Sequence, residues 1–129
     1  MENATQTEPS KLQLSSYREL EVWKRSIGLV EAIYRLTKTF PQEERYGLVS
    51  QVRRASVSVS ANIAEGYGRL HRGDYVRFLS ISAGSVSEVE TFLIIADKLE
   101  YAEKDPLRND WNLCQEVGKM LRSMLRKLS

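Results

Sequence analysis

A chain of 129 residues, 42% of them apolar, has the length of one domain and enough apolar surface for a single core. Its 19 basic and 17 acidic residues leave a formal charge of +2, too small for a polybasic tail to dominate, and its lone cysteine excludes an internal disulfide. With three prolines, seven glycines and long stretches of 3.6-residue periodicity, the expected fold class is all-α.

Residues 1–15, MENATQTEPSKLQLS, are polar, aperiodic and interrupted by Pro9, the pattern of a flexible N-terminal arm whose Leu12 and Leu14 can dock on a neighbouring subunit. Residues 16–129 form the single domain. The first helix is predicted over about 16–39, with Ser16 as N-cap and Glu19 completing a capping box. Leu20, Trp23, Ile27, Val30 and Tyr34 line one side, and Val22, Leu29, Ile33 and Leu36 widen it to a strip suited to two packing partners. Phe40-Pro41 ends it, because a residue before proline is pushed out of the α region.

The second helix, about 42–66, has two different stripes. Leu48, Val52, Ala55, Val59 and Ile63 fall together at 100° per residue, while Gln51, Arg54, Ser58, Asn62, Glu65 and Arg69 form a neighbouring polar row. Between them Ser56, Ser60, Ala61 and Ala64 are small enough to let another backbone approach. The segment 66–73 holds three glycines, with Gly66 placed as a left-handed helix stop. Asp74 is the expected N-cap of the third helix, about 74–99, which carries Tyr75, Phe78, Ser82, Ser85, Val89, Phe92 and Ala96 along one stripe. Its small middle, Ser80 to Ser85, predicts a crossing with the second helix at about 8 Å between axes. Asp105-Pro106 opens the fourth, about 106–128, with Leu113, Val117, Met120, Met124 and Leu128 apolar. Four helices of about 24 residues joined by short links make an antiparallel up-down-up-down bundle.

Two runs now point to a family. FPQEERYGLVSQVRRASVSVSANIAEGYGR and DYVRFLSISAGSVSEVET, preceded by YRELEVWKRSIGLV, resemble the 23S ribosomal RNA intervening-sequence proteins over nearly the whole folded part. The resemblance implies a cytoplasmic bacterial four-helix bundle with no established enzymatic activity, assembled into a homo-oligomeric ring, expected to be a pentamer. A more distant similarity, to the accessory proteins of diversity-generating retroelements, implies binding to nucleic acid and to a reverse transcriptase. Where many relatives read Ser-Ile/Val-Pro-Ser-Asn, this chain has Ser58-Val59-Ser60-Ala61-Asn62, so a helix-kinking proline is missing.

Catalytic chemistry is sparse. His71 is the only histidine, which excludes a His-bearing metal pair and the Glu-x-x-His pattern of di-iron bundles within one chain. Cys114 reads as an inert core thiol. The glycines of 66–73 follow no strand and lack a Gly-x-x-x-x-Gly-Lys-Ser/Thr pattern. No enzyme activity, cofactor or metal is expected. No signal-peptide-like stretch precedes the first helix and no unbroken apolar run approaches the ~20 residues that cross a bilayer, so no membrane association is expected and the cytoplasm is the expected location.

Alternating helices would gather Arg18, Arg69, His71, Arg72, Arg77, Arg122, Arg126 and Lys127 at one end of the bundle. The other end would hold Glu43, Glu44, Asp97, Glu100, Glu103 and Asp105, diluted by Arg45, Lys98 and Lys104. Part of the basic cluster only complements the C-terminal dipole of the fourth helix, but Arg69, Arg72 and Arg77 do not. Arg69, Arg72, Arg77, Arg122, Arg126, Lys127 and Tyr67 are therefore the candidate nucleic-acid contacts, for RNA or DNA. Gln51, Arg53, Arg54, Ser58, Asn62 and Glu65 are candidates for a polar network or subunit interface. Three readings of that stripe stand: a solvated face, a structural network with Glu65 paired to Arg69 or Arg77, and a ligand site. The competing function is an adaptor that docks a protein partner without touching nucleic acid.

Overall fold

A computed structural model describes residues 16–129. Four helices follow one another, α1 (Glu21–Thr37), α2 (Leu48–Tyr67), α3 (Arg72–Lys98) and α4 (Lys104–Leu128), with 3₁₀ turns at Tyr17–Glu19 and Gln42–Glu44 and no strand among the described residues. The expected N-terminal arm, with Leu12 and Leu14, lies outside them.

Each helix packs on two others, α1 and α3 both lying against α2 and α4, so the four form a bundle round one core. Leu29, Ile33, Val59, Ile63, Leu79, Val89, Val117 and Leu121 are fully buried there, each side chain contributing roughly 1.5–3 kcal/mol by its removal from water. Contacts run in opposed numerical order along the three pairs of successive helices. Ser26 meets Ser60 and Thr37 meets Arg53 between α1 and α2. Ser58 meets Ser85 and Gly66 meets Phe78 between α2 and α3. Val86 meets Cys114 and Asp97 meets Lys104 between α3 and α4.

The small residues of α2 and α3 do what their size allows. Ser82 Oγ donates to the Val59 carbonyl at 2.8 Å, and the Ser58 and Ser85 hydroxyls lie 2.8 Å apart, contacts that need the two backbones close together. Gly66 differs from its expected role: no described glycine has positive φ, and α2 runs one residue past it. A Cβ on Gly66 would lie 2.7 Å from the Phe78 Cβ and 3.2 Å from the Tyr75 ring, so this glycine serves close packing and not a left-handed turn.

Other helix ends differ from expectation for local reasons. Ser16 accepts from the Arg18 N–H at 3.1 Å and so starts a 3₁₀ turn; Leu20 is extended, and α1 begins only at Glu21. The turn brings Tyr17 edge-on to Trp23 at 5.2 Å and packs Leu20 on the core. The second expected helix divides at Gly47, where Glu44 accepts from the Leu48 N–H at 3.0 Å and starts α2. α3 begins at Arg72, so Asp74 lies in its first turn and His71 takes the cap position. It ends at Lys98 with Leu99 as its C-cap, and Glu100 follows as the one described non-glycine residue with positive φ (59°), the Tyr101 N–H reaching the Ala96 carbonyl at 2.9 Å. A left-handed stop without glycine leaves no mark in the sequence.

α3 is also the one described helix long and apolar enough in composition to cross a membrane, with 33% of its most apolar stretch buried. Counting unbroken apolar runs missed this, because serines and Gly84 interrupt the run without making it polar. The outward side exposes Ile81 at 41%, Ile94 at 46% and Ile95 at 37%, and a Cβ on Gly84 would meet nothing within 4 Å.

Candidate nucleic-acid interface

The connection between α2 and α3 and the end of α4 come together: an Arg72 Nη1–H donates to the Leu128 carbonyl at 3.5 Å, answering one of the bare carbonyls at that helix end. Arg126 and Lys127 in the last turn of α4 are exposed, as is Arg122 one turn earlier. On the α3 side the guanidinium groups of Arg69 and Arg77 both lie over the Phe78 ring, at 4.9 and 4.5 Å from its centroid. Arg69 also pairs with Glu65, which cancels part of its charge; Arg77 makes no ion pair among the described residues. Tyr67 stands edge-on to Tyr75 at 6.0 Å. Burial, with Tyr67 alongside, raises the Tyr75 hydroxyl above the ordinary tyrosine range, so it stays neutral at physiological pH.

Of the polar stripe on α2, the middle forms a network and the rest does not. The Asn62 amide donates to the Ser58 carbonyl at 2.8 Å and to its hydroxyl at 3.0 Å, and Ser58 continues to Ser85 on α3. Glu65 goes to Arg69 and not to Arg77. Gln51 and Arg54 are exposed and stand outside this network. Arg53 turns the other way: its Nε–H donates to Thr37 Oγ1 at 2.8 Å, an Nη2–H to the Tyr34 carbonyl at 3.3 Å, and its plane lies 4.4 Å over the Tyr34 ring.

The opposite end is joined by the Tyr101 hydroxyl, which donates to Glu44 at 2.9 Å, and by Lys104 with Asp97 at 3.1 Å. The Leu48 N–H and then the Tyr101 hydroxyl hold the Glu44 carboxyl below its ordinary value. Cys114 is buried and its thiol is pushed up to about 12, first by burial and then by Glu90 and Asp110 nearby, so it has no thiolate to offer. Burial likewise lifts Asp110 to about 6 against the pull of Arg35. No group of three metal-binding side chains occurs among the described residues.

Residues 18–123 match the family of 23S rRNA-intervening sequence proteins. The chain belongs to that family. No curated protein matches it. Within solved structures, one similar to this family member is a protein with unknown function from the S23 ribosomal protein family of Bacteroides thetaiotaomicron. The two share 26% identity at a TM-score of 0.75, over 81% of this chain and 97% of that one.

Two features of this family member were missed from sequence. One is Phe78 as the surface on which Arg69 and Arg77 both rest; the adjacent Arg77-Phe78 pair was its only local signal. The other is the cleft at Tyr34, Arg45 and Tyr46, described below, because its parts come from two helices and a turn.

Proposed function

We propose that the protein is a non-enzymatic, homo-oligomeric bundle of four alternating up and down helices that works in the cytoplasm and binds RNA through its basic end. The observation that carries this reading is the Arg72 to Leu128 contact, which brings the α2–α3 connection to the end of α4. In this reading Arg69, Arg72 and Arg77 act there together with Arg122, Arg126 and Lys127. Guanidinium groups resting on an aromatic ring keep their charge while held in place, which suits them to phosphates. The opposed order of contacts supports alternating helices, and the family's name supports RNA as the nucleic acid. The exposed apolar side of α3 supports self-association, and a ring repeats the basic cluster around its axis. Five copies is the number the family resemblance implies.

A binding titration with RNA at two salt concentrations tests this. The expected result is affinity that falls steeply with salt and drops roughly tenfold or more when Arg69→Ala and Arg72→Ala are combined. Binding indifferent to both overturns the reading.

A second reading is favoured by the pairing of Arg69 with Glu65, which spends charge inside the molecule. In it the oligomer is an adaptor for a protein partner such as a reverse transcriptase, and Arg53 and Arg54 serve subunit contacts. It predicts that Arg53→Glu or Arg54→Glu changes the oligomer mass in light scattering while RNA affinity stays negligible.

A further inference from the structure

The opposite end of α2 carries a feature that the two-ended charge pattern does not anticipate. Between α1, the turn before α2 and the first turns of α2 lies a shallow cleft of about 360 Å³, lined by Tyr34, Arg45, Tyr46, Arg53 and Arg54 around Val49. Its size is near the lower bound of small-ligand sites, roughly 300–1,000 Å³. Three arginines converge there and no carboxylate lines the cleft. Among the described residues none of the three makes an ion pair.

The neighbouring acid is turned to other work. Glu44, one residue before Arg45, has both oxygens engaged, by the Leu48 N–H and by the Tyr101 hydroxyl on the connection to α4. Arg53 is fixed by Thr37 and the Tyr34 carbonyl, which leaves the rest of its donors for a ligand at little further ordering cost. Beside it the Tyr46 ring is 88% exposed, with the Arg45 guanidinium 5.8 Å from its centroid. An exposed flat ring flanked by unpaired guanidiniums matches a nucleotide, whose base stacks on an aromatic face and whose phosphate takes paired N–H donors. An acidic peptide would use the arginines but leave the ring without a task.

We infer that this cleft is a second nucleic-acid site, binding one unpaired nucleotide of a single strand with its base on Tyr46 and its phosphate on Arg45, Arg53 and Arg54. The inference rests on the nucleic-acid reading above for its class of ligand and not for its residues. About 28 Å separates the two ends of α2, at 1.5 Å per residue, so a strand of several nucleotides can touch both sites.

The test uses the full chain and a single-stranded 12-nucleotide RNA, with ultraviolet cross-linking mapped by mass spectrometry, binding by anisotropy and oligomer mass by light scattering. The expected result is a cross-link on Tyr46, lost in Tyr46→Ala, and affinity reduced roughly tenfold by Tyr46→Ala with Arg54→Glu at unchanged mass. Cross-links confined to the other end, with binding lost only on Arg69→Ala and Arg72→Ala, overturn this inference and leave the basic-end reading intact. Binding lost only through the cleft substitutions does the reverse. A changed mass in Tyr46→Ala with Arg54→Glu makes the cleft a contact between copies and overturns the nucleotide assignment, as does preference for a glutamate-rich peptide over the RNA.

Discussion

The inward and outward sides of α3 use similar residues to opposite ends. Inward, Ser82 and Ser85 reach Val59 and Ser58 of α2, and Leu79, Val86, Val89 and Leu93 close the core. Outward, Gly84 faces open space between the exposed Ile81 and Ile95. Small side chains save space only where something occupies it. The contrast separates a seam that is filled within one chain from a surface where Gly84 meets nothing and Ile81 and Ile95 stay partly exposed, which is why the outward side supports self-association in our proposal.

The contrast can be broken from either side. Leu79→Ala, at a fully buried position, should destabilise by about 3 kcal/mol through lost burial and a residual cavity, measured by denaturant unfolding. Gly66→Ala should destabilise by about 2 kcal/mol, because the new methyl meets the Phe78 Cβ across the seam; unchanged stability would mean that the seam is loose.

Asp110→Asn probes how far the sealed interior extends into α4. Burial raises the folded Asp110 carboxyl to about 6 from an ordinary 3.8, so folding takes up protons between these values and the native state loses stability as pH rises through about 6. Discounted for the group's partial exposure, Asp110→Asn should stabilise by about 1 kcal/mol at pH 7 and by little at pH 4, comparing thermal unfolding at the two. Gly84→Ala has the smallest expected effect on the single chain, a gain of roughly 0.5–1 kcal/mol from helix propensity, since nothing obstructs the methyl. If another copy packs there, the same change should lower the oligomer mass in light scattering at dilute concentration.

The sequence by itself determined the helical class, the number of helices and the core stripe of α2, because 3.6-residue periodicity is a local property that every buried face must obey. On α1 and α4 the buried faces are Val22, Leu29, Ile33 and Leu36 and Leu107, Cys114, Val117 and Leu121, with Tyr34 exposed and Met120 and Met124 half-buried. The sequence also marked Ser82 and Ser85 as residues for a close crossing, and they reach Val59 and Ser58 of α2 across it. It misplaced helix starts at Ser16, Gln42 and Asp74, since caps depend on where a side chain such as Glu44 finds a donor. Only the tertiary structure decided that Gly66 packs instead of turning, that Glu100 takes the left-handed stop, and that Arg69 and Arg77 share Phe78. It alone brought Tyr34 beside Tyr46 and the arginines of α2. Pattern along a chain records which way each residue faces its own helix; which groups meet across helices is set by packing, and packing is not written in any one segment.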